Sequence, residues 1–140
     1  MVVIINRQQA RPIKGQHWLE FVDRALKAIG TRKEVTIVFV RDAAIRELNR
    51  QFRDHDQATD VLSFPTRAEK FECEQKSQLG EVVISVDRAA AQARQNGLTF
   101  ANEVRQLILH GLLHLCGYDH ETDDGQMNRL ELKLRKQLGI

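Results

Sequence analysis

The sequence predicts an α+β fold, a single domain in which a small mixed sheet is packed by helices. Short β-branched and apolar runs of strand length alternate with longer segments that carry apolar residues at helical spacing. The chain has 140 residues, of which 42% are apolar and 29% charged, and these values fit one ordinary globular core. We therefore expect residues 1–140 to form one domain with helices on the faces of the sheet.

Two strands and two helices are predicted in the first half of the chain. They are a strand over 1–5, a helix over Gln16–Ile29, a strand over Val35–Val40 and a helix over Ala43–Phe52. The first helix ends at Gly30, because glycine readily adopts the left-handed conformation of a helix terminus. A polar loop over Arg53–Asp60 follows the second helix.

The second half is predicted to hold two strands and three helices. They are strands over Val61–Phe64 and Leu79–Val86, and helices over Asp87–Asn96, from Thr99 to about Cys116, and over Asp124–Leu138. Pro65 stops the first of these strands because proline has no N–H to donate to a sheet. Gly97 closes the alanine-rich helix, and Thr99 is a good N-cap for the next one. Residues 66–78 form either a loop over a site or a plain surface connection.

Composition and charge limit the classes of protein. No apolar run approaches the roughly 18 residues that cross a bilayer, and the apolar start is too short for a signal peptide. Cys73 and Cys116 form no CxxC pair, so we expect reduced cysteines and a cytoplasmic protein. Residues 1–70 hold 13 basic and 9 acidic residues, a net charge of +4, and residues 71–140 hold 8 and 10, a net charge of −2. Two interpretations of the basic half are open: it binds an anionic partner, or it is an ordinary mixed-charge surface. The charge distribution alone favours neither interpretation.

Three histidines near the C-terminus have the spacing of metal ligands. His110 and His114 lie four residues apart on a predicted helix, so they are about 40° apart around its axis and about 6 Å along it. Gly117 ends that helix with a sharp turn, which brings His120 back toward the same ion. Three neutral imidazoles suit zinc and leave one coordination position open, as in catalytic zinc sites. The alternative, three unrelated histidines that satisfy backbone groups, is disfavoured by this spacing.

The residues around this motif admit more than one interpretation. The spacing H-x3-H-x2-G-x2-H matches the metzincin protease signature, but Gly111 stands where those proteases carry their glutamate base. Asp119 and Glu121 either hold the second ring nitrogen of a ligand or are surface acids, and neither role is favoured. Cys116 is a fourth ligand or, as its position on the apolar side of the helix favours, a small core residue.

Three blocks of the sequence resemble the YbeY family of ribosomal-RNA maturation endoribonucleases. The segment His110–His120 resembles the family's HGxLHLxGYDH signature. Arg53, followed by Thr59–Pro65 (TDVLSFP), resembles the family's arginine and T[DN]VLSFP segment. Leu79–Ser85 (LGEVVIS) is similar to the family's LGDI-type strand, with Glu81 where aspartate is commoner. The blocks occur in family order in a chain of family length, so the resemblance covers nearly the whole sequence.

This resemblance implies a compact α+β fold with a zincin-like metal site, and one metal-dependent endoribonuclease domain over residues 1–140. It implies single-strand-specific cleavage of RNA, in maturation of the 3′ end of small-subunit rRNA and in ribosome quality control. The implied partners are rRNA and the small ribosomal subunit or assembly factors. Metal ligation, by one zinc ion or another divalent metal, carries over to His110, His114 and His120, and the functional arginine carries over to Arg53.

Arg53 is predicted to lie beside the metal and to bind a phosphate, because its planar fork of donors matches phosphoryl oxygens. The alternative is an ion pair within its own acidic loop, with Asp54, Asp56 or Asp60. The strand over Leu79–Val86 is a candidate wall of the cleft. Further basic residues are candidates for contacts with the RNA backbone, namely Arg7, Lys14, Arg50 and Arg67.

Two other classes of function stay open at this point. One is a zinc metallopeptidase, which the histidine spacing favours and Gly111 disfavours. The other is a non-catalytic ribosome-assembly factor with a structural zinc ion. For an endoribonuclease the attacking group is either water or the RNA 2′-hydroxyl, since Gly111 cannot act as a general base.

Overall fold

The computed structural model describes residues 2–66 and 78–140 of the chain. Within them, the four strands are β1 (Val2–Asn6), β2 (Glu34–Val40), β3 (Val61–Pro65) and β4 (Gln78–Ser85). The five helices are α1 (Gly15–Ile29), α2 (Asp42–Arg53), α3 (Val86–Asn96), α4 (Phe100–Leu115) and α5 (Gln126–Leu138). None of these helices is both long enough and apolar enough to cross a bilayer. Arg67, Cys73 and nearly all of the predicted 66–78 loop lie outside the described residues.

The four strands form one mixed sheet in the order β1-β2-β4-β3. β1, β2 and β4 run parallel, and β3 runs antiparallel to β4 at the edge of the sheet. The register pairs Phe39 with Ile84 and Leu62 with Val83. Pro65 ends the edge strand, where the absence of a backbone N–H is tolerated.

Helices cover both faces of this sheet. On one face, Ile37 and Ile84 belong to the main core, which also contains side chains of α1, α3, α4 and α5. On the other face, Val38 and Val83 form a smaller core with Ile45 of α2. Adjacent strand residues enter opposite cores because successive side chains of a strand point to opposite faces. The predicted α+β fold, a small mixed sheet packed by helices, is confirmed.

The predicted capping residues stand at the ends of the helices. Gly30 and Gly97 end α1 and α3 in the left-handed conformation, with φ angles of 96° and 67°. The hydroxyl of Thr99 accepts a hydrogen bond from the Asn102 N–H at 3.1 Å and caps α4. Local capping chemistry was therefore a reliable guide to these three ends.

Several helix boundaries differ from the prediction by one or two residues, among them the end of α2 and the start of α5. Arg53 is the last residue of α2 and not the first of the loop, so a helix end holds its backbone. The last helix begins at Gln126 rather than Asp124. Before it, the chain forms a turn in which the Asp123 carboxylate accepts hydrogen bonds from the Gly125 N–H at 2.8 Å and the Met127 N–H at 2.9 Å.

The end of β4 also differs from the predicted strand over Leu79–Val86. Val86 belongs to α3, and the strand ends at Ser85. The Ser85 hydroxyl accepts a hydrogen bond from the Arg88 N–H at 3.2 Å, which makes Ser85 the N-cap of the helix. Val86 directly follows this N-cap, and its apolar side chain continues the strand pattern in the sequence although its backbone is helical.

Candidate metal centre

Three imidazoles converge at the end of α4 and the turn that follows it. The Nε2 atoms of His110 and His114 lie 3.1 Å apart. With His120 included, one ring nitrogen of each histidine lies within 4.8 Å of the other two. Nitrogens about 2.0–2.1 Å from one tetrahedral zinc ion are roughly 3.4 Å apart, so the first pair already has a suitable spacing. The donor set and its convergence fit a single divalent ion with a preference for nitrogen.

The helix holds two of these rings in place because its opposite side is anchored in the main core. Leu109, Leu112 and Leu113 are fully buried there. His110 and His114 are only half-buried and face away from that core toward the cavity described below. A ligand pair on a helix fixed in this way has little freedom to move apart.

A glycine turn brings the third histidine to the same point. Gly117 has a φ of 96°, and its N–H donates to the His114 carbonyl at 3.0 Å. The Tyr118 N–H donates to the Leu113 carbonyl at 3.1 Å, which completes a Schellman motif. The chain then reverses direction, and the exposed His120 meets the two helical rings.

Gly111 lies where α4 comes very close to the sheet. A Cβ atom at this position would lie only 2.7 Å from Val82 Cγ1 and 3.2 Å from the Ser63 hydroxyl. The same hydroxyl donates to the Gly111 carbonyl at 3.1 Å. A glutamate side chain here would collide with the sheet, so packing excludes the glutamate base that metzincin proteases carry at this position.

Glu131 of α5 holds one of the rings from behind. Its Oε1 atom lies 3.0 Å from His110 Nδ1 and 3.6 Å from Arg135 Nη2. Burial raises the pKa of Glu131, yet that pKa lies below its usual value because the contact with His110 and the charge of Arg135 outweigh burial. The carboxylate is thus charged at neutral pH and orients His110 with Nε2 toward the convergence point.

Glu131 was not among the site residues predicted from the sequence, although its position in α5 carries a signal. In α5 the buried residues follow a helical stripe, Met127, Glu131, Leu134 and Leu138. A carboxylate on an otherwise apolar stripe needs a buried partner, because an unpaired buried charge is costly. That pattern marks Glu131 as a residue with a specific contact, but it does not identify His110 as the partner.

His114 is prepared for metal binding by its surroundings. Burial lowers the pKa of His114, and the neighbouring His110 and His120 rings lower it further. A hydrogen bond with the Tyr118 backbone raises this pKa, but the net result is still a lowered pKa. A lowered pKa means that the ring is neutral at neutral pH, which is the form that binds a metal.

Three other residues near the third histidine have structural contacts. Asp119 and Glu121 line the cavity, and Asp119 Oδ1 accepts a hydrogen bond from the Glu121 N–H at 3.0 Å. Within the described residues neither carboxylate is hydrogen-bonded to a ring nitrogen. Cys116 is half-buried against the main core and does not belong to the converging group. Burial raises the pKa of its thiol, as expected of a core cysteine rather than a ligand.

A cavity of about 460 Å³ lies over the three histidines, and Arg53 lines it with them. Arg53 Nη2 donates to the Ser63 carbonyl at 2.6 Å, and its guanidinium carbon lies 5.8 Å from the centre of the Phe64 ring. Within the described residues Arg53 forms no ion pair, and Asp56 pairs instead with Arg46 at 2.9 Å. The guanidinium therefore lies at the cavity wall and not in an acidic loop.

The sheet contributes β3 to this cavity, not the predicted β4. The cavity is lined by Val61, Leu62, Ser63 and Pro65, because β3 is the edge strand and separates β4 from the cavity.

The other basic residues predicted to contact RNA do not line this cavity in the described part of the chain. Arg50 pairs with Glu47 in the solvent, Arg7 and Lys14 do not line the cavity, and Arg67 lies outside the described residues.

Replacing Glu131 with glutamine is expected to weaken zinc binding by about 10- to 100-fold, since second-layer partners of ligating histidines contribute on that scale. Competition of the purified protein with a zinc-sensitive dye measures the change. Glu121→Gln is the matched control, because Glu121 lines the same cavity without a hydrogen bond to a ring. Equal affinities of both variants and the unaltered chain would contradict an orienting role of Glu131.

Comparison with known proteins gives consistent matches over nearly the whole chain. A family model described as "Endoribonuclease YbeY" matches residues 3–139. The protein of that name from Koribacter versatilis is 40% identical over 138 residues, which are 99% of this chain and 86% of the relative. That from Geobacter metallireducens is 36% identical over 141 residues, covering 99% of this chain and 94% of the relative.

A solved structure is also similar to this chain. The solution structure of a Thermotoga maritima protein is similar with a TM-score of 0.62 and 32% sequence identity. The similarity covers 99% of this chain and 89% of the other. The chain therefore shares its fold with this solved protein over nearly its whole length.

Proposed function

The chain belongs to the endoribonuclease YbeY family, and we propose that it cleaves single-stranded RNA with the centre formed by its three histidines. The observation that carries the proposal is one cavity lined both by three converging imidazoles and by Arg53. Residues 1–140 act in this proposal as a single metal-dependent endoribonuclease domain. Its biological roles would be maturation of the 3′ end of small-subunit rRNA and ribosome quality control.

His110, His114 and His120 are the proposed ligands of one zinc ion, and another divalent metal is compatible with them. Three neutral nitrogen donors favour zinc over the oxygen-loving magnesium and calcium. When bound, such an ion polarises a water molecule or a phosphoryl oxygen. Glu131 keeps the His110 ring in the binding orientation, and the packed Gly111 keeps α4 against the sheet.

Arg53 is the proposed phosphate-binding residue. Its hydrogen bond to the Ser63 carbonyl holds the guanidinium at the cavity wall, so its other N–H groups can face a phosphate. Negative charge grows on the phosphoryl oxygens during cleavage, and fixed donors stabilise that charge.

The chemical ends of the RNA products identify the group that attacks the phosphate. A 2′,3′-cyclic phosphate indicates the RNA 2′-hydroxyl, and a 5′-phosphate indicates water.

The proposed partners are rRNA and the small ribosomal subunit or its assembly factors, which places the activity in the cytoplasm. Two other functions have less support. A metallopeptidase needs a general base, and packing closes position 111 to a glutamate. A purely structural zinc site is normally closed by four protein donors, whereas three ring nitrogens converge here within the described residues.

Removal of the metal with a chelator tests the proposal. We expect the chelated protein to keep its far-ultraviolet circular dichroism spectrum and to lose RNA cleavage, and added zinc should restore it. The expectation follows because the helices and sheet pack around two apolar cores that do not include the histidine cluster.

Two results would contradict this expectation. Loss of the dichroism spectrum together with the metal would indicate structural zinc, as in a non-catalytic assembly factor. Cleavage of casein but not of single-stranded RNA by the zinc-loaded protein would indicate a peptidase.

A further inference from the structure

A second cavity of about 410 Å³ lies on the other side of His110. It shares Asp60, Val61 and His110 with the cavity over the metal centre, so the two spaces adjoin at these residues. Its remaining walls come from α3, α4, α5 and the turn between α3 and α4. A group bound there would adjoin a phosphate bound at Arg53 and the histidines.

Carboxamides provide much of the polar lining of this second cavity. Gln92 of α3 and Gln106 of α4 are half-buried, and neither side chain forms a hydrogen bond with the described residues. Asn96 also lines the cavity and donates to the buried Glu103 at 3.3 and 3.4 Å. Each free carboxamide offers two donors and an acceptor, the pattern that matches the edge of a nucleobase.

The charges of the second cavity select against a phosphate. Two carboxylates, Asp60 and Glu103, line it together with one guanidinium, that of Arg135. The Arg135 guanidinium also contacts Glu131 at 3.6 Å, so its charge is partly balanced. A phosphate would face two carboxylates and one partly balanced guanidinium here, whereas the exocyclic amino groups of a base find acceptors in carboxylate and amide oxygens.

We propose that the second cavity binds the nucleobase of a nucleotide that flanks the phosphate held at the metal centre. This inference rests on the proposed RNA cleavage and adds a base subsite to it. Single-stranded RNA suits such a subsite, because an unpaired base can leave its stack and use its hydrogen-bonding edge. Gln92 and Gln106 are the residues that read this base.

Abasic substitution tests the subsite. A short single-stranded RNA with a mapped cleavage position is compared with two copies that lack the base on either side of that position. For the unaltered protein, loss of one of these bases should lower kcat/KM by roughly tenfold, the scale of one or two hydrogen bonds. For the double variant Gln92→Leu, Gln106→Leu, kcat/KM on the intact RNA should fall by a similar factor. Removal of the base should then cause no further loss.

The control is Gln95→Leu, an exposed position on α3 that does not line the cavity. It should keep the full sensitivity to the missing base, and thermal melting should show that all variants fold. Equal cleavage of intact and abasic RNA by the unaltered protein would overturn the subsite while leaving the proposed function standing. So would a double variant that stays as sensitive to the missing base as the unaltered protein.

Failure of the zinc-loaded protein to cleave any RNA would instead count against the proposed function. Nuclear magnetic resonance then tests the subsite by itself. Titration with adenosine, guanosine, cytidine and uridine should shift the side-chain amide signals of Gln92 and Gln106 for at least one nucleoside, and not those of Gln95. Unchanged signals with all four nucleosides would overturn the inference.

Discussion

Replacing His114 with alanine is expected to lower metal-dependent RNA cleavage by roughly a thousandfold or more. A bound metal contributes several kcal/mol to transition-state stabilisation, and each 1.36 kcal/mol corresponds to a factor of about ten. His114 is central to the proposed centre, because its Nε2 lies 3.1 Å from that of His110 and its lowered pKa keeps the ring neutral. Single-turnover cleavage of a labelled single-stranded RNA, with zinc content measured in parallel, gives the effect.

His55→Ala is the matched control for this variant. His55 is exposed and does not line the cavity over the metal centre. It should retain both the zinc and the activity of the unaltered chain. A His114→Ala protein that binds zinc normally and cleaves RNA at the original rate would show that the converging imidazoles are not the catalytic centre.

Replacing Arg53 with alanine should lower kcat/KM for RNA by about 100- to 1,000-fold, the usual loss when one fixed donor to developing negative charge is removed. The zinc content should stay unchanged, because Arg53 lines the cavity without belonging to the histidine cluster. Arg53→Lys should recover only part of the activity, since lysine keeps the charge but loses the planar fork of donors. RNA binding and cleavage are measured separately to distinguish affinity from rate.

Arg50→Ala controls for the loss of a basic residue from the same helix. Arg50 is paired with Glu47 and does not line the cavity, so its removal should change RNA cleavage only slightly. Equal losses in the two variants would mean that α2 contributes only a diffuse positive charge. Unchanged cleavage and affinity in Arg53→Ala would exclude the proposed phosphate contact.

Features that depend on neighbouring residues were predictable from the sequence. The spacing of His110 and His114 predicts their approach because an α-helix fixes the geometry four residues apart. Gly117 predicts the turn because few other residues adopt its backbone conformation at low cost. The convergence of three rings in the structure follows from these two local rules.

Contacts between distant segments were not predictable in the same way. Glu131 follows His110 by 21 residues and meets it only because α5 packs beside α4. The sequence places Arg53 in a loop, whereas in the structure it is the last residue of α2. The choice between β3 and β4 as the wall of the cavity depended on the strand order, which hydrophobic periodicity does not encode.

The class of fold, most C-terminal helix ends and a histidine pattern suited to one metal ion are predictable from the amino-acid sequence alone. Backbone sterics and hydrogen bonding act over a few residues, so a short stretch of chain contains all the information they use. Three contacts emerge only in the folded chain: Arg53 shares a cavity with those histidines, Glu131 orients His110, and Gly111 is packed against Val82. These contacts arise from the burial of apolar faces between separate elements, and their geometry is defined only when the whole core is assembled.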